Sequence, residues 1–204
     1  YQNTYLSPYQ EFQNFKTHPK IANYLKDGKR ISYGARALNE GGYQSLPKMT
    51  FPGGLLIGCE AGTLNVLKIK GTHTAIKSGM LAAEAYMEAR KNGYQDKELK
   101  NYSNNFNKSS IYKELHKVRN VRPGFKYGLF PGLLNTFIDQ KIFRGKAPWT
   151  LSHKEKDNLS IKQKASSKRL SYSKHDNKYS FDLLTNLSFS GTNHKEDQPC
   201  HLFL

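Results

Sequence analysis

A glycine-bounded apolar pentapeptide, Gly54-Leu55-Leu56-Ile57-Gly58, precedes a stretch of small residues and then a long helical pattern from Thr72 to Lys91. No other feature constrains the fold as much. A short apolar run between glycines reads as a buried parallel strand. Residues 58–71 hold Gly58, Ala61, Gly62, Asn65 and Gly71 and read as a loop. Asn92-Gly93 is the expected end of the helix. Ile76, Met80, Ala83 and Met87 follow spacings of four, three and four, the apolar stripe of an amphipathic helix. Ala75, Gly79 and Ala82 are small enough for close approach to a sheet. In a strand–loop–helix unit the first N–H groups of the helix and the positive end of its dipole face the loop. An anionic or carbonyl-bearing ligand is stabilised there. Many such units bind nothing, so both readings stand at this level.

The remaining chain is less constrained. Residues 1–30 are aromatic and polar; Phe12 to Phe15 suits one helical turn, and His18-Pro19 ends any helix before it. Ile31 to Tyr33 suits a short strand. Residues 34–53 form a loop rich in glycine and proline. Helical spacing returns at Leu99, Tyr102 and Phe106 and at Ile111, Leu115 and Val118, with Arg122-Pro123-Gly124 as a stop. The segment 124–145 is apolar but carries Lys126, Asp139, Lys141 and Arg144, too much charge to span a bilayer. Phe130, Leu134, Phe137 and Ile138 share a face, and Lys141 and Arg144 can snorkel. That pattern fits a helix lying in a membrane interface or an amphipathic core helix. Residues 152–178 read as an exposed loop, and 181–189 as a return to apolar structure.

Composition narrows the chemistry. A hydrophobic share of 37% supports a packed core. The net charge is +16, from 25 Lys and 7 Arg against 16 acidic residues, and residues 101–170 hold fifteen basic and four acidic residues. Recognition of bases and phosphates by planar forks favours Arg over Lys. A solvated face, an anionic membrane surface and a nucleic acid are all compatible with the charge. Cys59 and Cys200 are too few for a disulfide framework, a four-cysteine zinc site or a complete iron–sulfur site, and a reducing compartment is expected. Tyr1-Gln2-Asn3-Thr4 has neither an initiator Met nor a signal-peptide pattern. The seven histidines form no zinc-hydrolase pattern, and no G-x-S-x-G, P-loop or G-x-G-x-x-G occurs. No residue is therefore assigned as catalytic or metal-binding. His73, in the first helical turn, either lines a site or is an ordinary surface or packed histidine. Cys59 is either a buried inert thiol or one that faces a ligand.

Longer segments carry a resemblance. Gly34 to Gly42, Gln44 to Lys48 and Phe51 to Cys59 resemble the electron transfer flavoprotein–ubiquinone oxidoreductase family. So do Asn65-Val66, Lys70 to Ala75, Lys77-Ser78-Gly79, Lys113-Glu114-Leu115, Val118-Arg119-Asn120, Arg122-Pro123, Pro148 to Leu151, Ser180 to Leu184, Ser190 to His194 and Asp197-Gln198-Pro199.

The resemblance implies an α/β fold, with α+β character. It implies part of a glutathione-reductase-like FAD domain, parts of a quinone-binding domain and the start of a ferredoxin-like iron–sulfur domain. Residues 1–38 would close the ubiquinone domain, 39–123 would belong to the FAD domain, 124–147 to an interfacial membrane helix, and 148–204 to the entry of the cluster domain. The chain would be an interior piece. The family's N-terminal G-x-G-x-x-G unit is absent from it, and the 4Fe-4S ligands would lie outside it, since Cys59 and Cys200 do not match them.

Gly58, Cys59, Ala61, Gly62 and Asn65 would approach the ribityl–pyrophosphate part of FAD, and Gly71 and Thr72 would present N–H groups to the pyrimidine side of the flavin. Many proteins of the wider class carry Asp where this chain has Cys59. Phe130, Leu133, Leu134, Phe137, Ile138, Lys141 and Arg144 would contact the membrane. The implied partners are electron transfer flavoprotein, ubiquinone and the surface of the inner mitochondrial or bacterial cytoplasmic membrane, with no nucleic acid. Two rivals remain: an FAD-dependent reductase without the cluster, and a basic nucleic-acid-binding module.

Overall fold

The computed structural model describes residues 2–153, 156, 159–193 and 195–197. Cys200, His194, His201 and the Gln198-Pro199 part of the quoted motif lie outside them. The chain divides into two compact units, one formed by residues 1–36 with 155–204 and the other by 37–154. Helix is the main regular structure of both, and the described sheet is a single two-stranded hairpin.

In the first unit, α1 (Pro8–Thr17) starts where Ser7 accepts a bond from the Gln10 N–H and Pro8 presets the first turn. Helix α2 (Pro19–Leu25) repeats the device, with His18 accepting from the Lys20 N–H. Pro19 thus ends one helix and begins another. The ten-residue α1 exceeds the single turn expected from Phe12 to Phe15. Ile31 to Tyr33 is not a strand, although the Tyr33 N–H reaches the Ser190 carbonyl. The short helix Leu183–Ser188 is capped by Asp182. Residues 159–178 are largely coil, as their polar composition predicts.

In the second unit, β1 (Thr50–Phe51) and β2 (Gly54–Leu55) pair antiparallel around Pro52-Gly53, with Gly53 at φ +79°. This corrects the parallel strand expected over 54–58. The turn folds the chain straight back, and only two residues on each side pair. Helix α3 (Thr72–Lys91) has the predicted ends. Its buried face is Thr74, Ser78, Leu81, Ala82, Ala85 and Ala89. The expected apolar stripe points outward: Ile76 is 61% and Met87 60% exposed. The small residues let α3 lie close against α4 (Lys100–Lys108) and α5 (Ser110–Lys117), and close backbone approach decides which face packs.

Tyr102, Phe106, Ile111 and Leu115 are buried at their predicted positions. They join Met49, Ala61, Leu81, Ala82 and Ala85 in the core. Tyr102 donates its hydroxyl to the Leu56 carbonyl, and burial pushes its pKa up to about 12.

The expected stop at Arg122-Pro123-Gly124 is itself a helical turn, α6 (Val121–Gly124). The segment 124–145 is not one helix. Gly128, at φ +106°, breaks it, and α7 (Leu129–Phe137) runs on into a π turn, Ile138–Ile142. Arg144 and Gly145, both at positive φ, end it. Among the described residues no helix is long and apolar enough to cross a membrane.

Candidate functional site

Residues 58–71 fold into two linked turns that lean on the start of α3. Gly58 sits at φ +59° and Gly62 at φ +72°, a region that glycine enters without steric cost. A Cβ on Gly58 would meet Ala75 at 3.2 Å, so loop and helix approach as closely as glycine allows. The contact is stitched by hydroxyls. Ser78 accepts from the Gly58 N–H at 2.9 Å, and Thr63 donates to the Gly58 carbonyl at 3.0 Å.

The second turn closes on itself through paired backbone bonds between Asn65 and Lys70. Asn65 is fully buried; its Oδ1 accepts from the Leu67 and Lys68 N–H groups, and its Nδ2 donates to Glu114. Helix α3 then begins at Gly71, which has no side-chain cap. Its first ladder bond runs from the Ala75 N–H to the Gly71 carbonyl, so the Thr72, His73 and Thr74 N–H groups lie outside the ladder.

A cleft of about 430 Å³ opens at this point, bordered by Leu38, Cys59, Leu64, Gly71, Thr72 and Ala75. The structure therefore separates the seven predicted residues into two groups. Cys59, Gly71 and Thr72 line the cleft. Gly58, Ala61, Gly62 and Asn65 are buried behind it and set the path of the loop. The Cys59 thiol is half-buried and accepts a weak bond from the Asn39 N–H at 3.4 Å. A Cβ on Gly71 would make only ordinary contact with Leu64, at 3.6 Å.

Glu114 fastens this region to α5, and sequence reasoning singled it out only as part of a quoted motif. Its carboxylate accepts from Asn65 at 2.7 Å, Lys68 at 3.1 Å and His73 at 3.1 Å. Burial alone raises a carboxyl pKa, but these bonds outweigh it and hold Glu114 below the usual carboxylate range. His73 thus binds Glu114.

A second buried hub holds the segment after α7. Arg119, buried, donates to the carbonyls of His116, Gly145, Ala147 and Trp149 and to the Thr150 hydroxyl. Asn120 donates to Asp139 at 3.0 Å and to the Trp149 carbonyl at 3.1 Å, and accepts from the Leu151 N–H at 2.8 Å. Asp139 is fully buried, and the Gly145 N–H bonds its carbonyl.

Asn135 of α7 donates to the Asn120 carbonyl at 2.9 Å, and α7 turns its apolar face outward. Phe130 is 81% and Phe137 59% exposed; Leu133 and Leu134 are exposed beside them, and Ile138 is half-buried. Lys141 and Arg144 are exposed at the C-terminal end. Among the described residues no three His, Cys, Asp or Glu side chains converge as metal ligands would.

Comparison with known proteins supplies the frame. Residues 1–38 match the family model described as ETF-QO, ubiquinone-binding. The whole chain is 52% identical to the mitochondrial electron transfer flavoprotein–ubiquinone oxidoreductase of Rattus norvegicus and 51% to that of Homo sapiens, each over 34% of the relative's length. The probable enzyme of Saccharomyces cerevisiae is 49% identical over 99% of this chain and 35% of its own. The chain thus spans about a third of the length of the relatives it matches, and across that span it belongs to the electron transfer flavoprotein–ubiquinone oxidoreductase family.

Proposed function

We propose that this chain is part of a membrane-associated flavoprotein that accepts electrons from reduced electron transfer flavoprotein. Through FAD and a 4Fe-4S cluster it passes them to ubiquinone. The observation that carries the reading is half-identity along the whole chain to enzymes named for that reaction. The relatives are mitochondrial, and the proposed site of action is the inner mitochondrial membrane or its bacterial counterpart.

The loop and the start of α3 suit the flavin. The glycines bring backbone close to α3, and the cleft beside them is lined by Gly71, Thr72 and Cys59 rather than filled by a bulky side chain. In this reading Thr72 and its neighbours donate backbone N–H groups from the positive end of the α3 dipole to the pyrimidine edge. That edge gains negative charge on reduction, so fixed donors favour the reduced state. When bound, FAD supplies the electron chemistry itself. Asn65 and Glu114 hold the loop in place, and no side chain of this chain is needed as acid, base or nucleophile. The cluster ligands are assigned to no residue of this chain.

The outward face of α7 suits a membrane interface. Phe130, Leu133, Leu134 and Phe137 would enter the acyl boundary, and Lys141 and Arg144 would reach the headgroups.

The test is flavin content and quinone reduction in the intact protein. Gly71→Ala, which the backbone accommodates, should keep its flavin. Gly71→Val, whose extra methyls enter the cleft, should lose flavin absorbance while the circular-dichroism spectrum is unchanged. A Gly71→Val protein with full flavin content would refute the site.

A further inference from the structure

A second cleft in the 37–154 unit, about 1070 Å³, is strongly basic. Lys68, Lys113, Lys117 and Lys146 line it, and its floor includes Arg119. Lys113, Lys117 and Lys146 are exposed and pair with no carboxylate among the described residues. The carboxylate that lines the cleft, Glu114, is engaged by Asn65, Lys68 and His73.

The cleft also offers a hydroxyl proton. The Tyr43 and Tyr112 hydroxyls stand 2.6 Å apart, and only one of their two protons can lie between them. The other is free to donate into the cleft. Three lysines that pair with no carboxylate among the described residues, beside a spare phenol donor, suit a phosphate group.

The position of the cleft identifies the source of that phosphate. One wall is the segment 145–147 that follows the apolar helix, and Gln140 of the π turn donates to the Lys117 carbonyl on the opposite wall. Ile142, 63% exposed, and Phe143 lie just before Lys146 in the chain. An interfacial helix sits roughly 5–10 Å into the headgroup boundary, so a basic cleft at its C-terminal end lies at headgroup depth.

We infer that this cleft binds the phosphate of an anionic phospholipid headgroup, so that membrane docking depends on lipid charge as well as on the apolar face of α7. The inference rests on the interfacial reading of α7 and deepens it.

The experiment measures binding of the intact protein to two kinds of vesicle, pure phosphatidylcholine and phosphatidylcholine with phosphatidylglycerol. Wild-type protein should prefer the anionic vesicles. The triple variant Lys113→Gln/Lys117→Gln/Lys146→Gln should lose that preference by about 100-fold, roughly fivefold per lysine, and bind neutral vesicles as wild type does. Phe137→Asp should weaken binding to both.

Equal wild-type binding to both vesicles, or a triple variant that keeps the preference, would overturn the headgroup assignment and leave the interfacial helix standing. Wild-type protein that binds no vesicle would overturn both. Calorimetry with inorganic phosphate separates the two sources of the ligand. Tight phosphate binding that the triple variant loses, without any preference for anionic vesicles, would assign the cleft to free phosphate. Loss of binding to an acidic protein by the triple variant, with the vesicle preference intact, would make the cleft a protein-docking surface.

Discussion

Glu114 stands 49 residues from Asn65 and 41 from His73, yet one carboxylate ties both to α5. Replacing it with Gln removes the charge from three hydrogen bonds at once. Charge-assisted bonds of this kind contribute roughly 1.5–3 kcal/mol each when their partners are buried, and Lys68 is largely exposed. Glu114→Gln should therefore cost about 1–3 kcal/mol in chemical denaturation, with early loss of hydrogen-exchange protection at Asn65 and Lys70; an unchanged denaturation midpoint would remove Glu114 from this role.

Asp176 offers a pH test. Burial works to raise its pKa, but N–H donors from Ser180, Lys178 and Tyr179, with the Ser180 hydroxyl, pull it down to about 2 from 3.8. A carboxyl depressed on folding stabilises the native state above its unfolded pKa, and that stability is lost as pH falls through the folded value. The unit containing Asp176 should lose stability between pH 3.8 and about 2, and Asp176→Asn should flatten that part of the acid titration.

Glu114, Arg119 and Asn120 were visible in the sequence only within segments that carry the family resemblance. Which residues they pair with was not visible. Each bond spans tens of residues, and neither periodicity nor spacing encodes a contact between two separate turns.

Helix boundaries follow local rules, and α3 obeys them at both ends. Which face of α3 packs does not, because it depends on how closely a neighbour can come. The small face lies against α4 and α5, while Ile76, Met80 and Met87 face outward. The 124–145 segment fails in the same way. Its apolar content was readable, but Gly128 breaks it at φ +106°, and in the π turn Asp139 and Gln140 turn toward Asn120 and Lys117.

Gly145 exposes the cost of disturbing this corner. It lies at φ +73°, and a Cβ there would collide with the Lys117 carbonyl. Gly145→Ala combines left-handed strain of roughly 1–2 kcal/mol with displacement of backbone that Arg119 holds. It should lower the unfolding free energy by at least that amount; a neutral substitution would show that the corner yields freely. Phe137→Asp acts on the exposed face of α7. Removing one Phe from an apolar phase forfeits roughly 1.5–3 kcal/mol, so vesicle affinity should fall at least tenfold while the thermal midpoint barely moves. Unchanged partitioning would exclude α7 as the anchor.

At the scale of the molecule, the chain forms two compact units. Residues 1–38 match the ubiquinone-binding model, and the 37–154 unit holds the glycine loop, the basic cleft and the apolar helix. Part of the +16 charge, compatible in the sequence with water, lipid or nucleic acid, lies at the cleft and the helix end of the 37–154 unit. Lys113, Lys117 and Lys146 line one cleft, and Lys141 and Arg144 are exposed in the segment that follows α7. The mixed fold class came with the family resemblance, and the structure bears out its coarse part, a helix-rich chain with one small sheet. The extent of the sheet was not legible, because two residues per strand leave no periodicity to read.

The central claim is that the 58–72 loop and the start of α3 receive the isoalloxazine of FAD. An experimental structure of the intact, flavin-loaded protein tests it most directly. The account predicts the pyrimidine edge of the flavin within hydrogen-bond distance, about 3 Å, of the Thr72 backbone N–H, with Cys59 and Gly71 beside it. A flavin bound elsewhere, with this cleft filled by packed side chains, would contradict it.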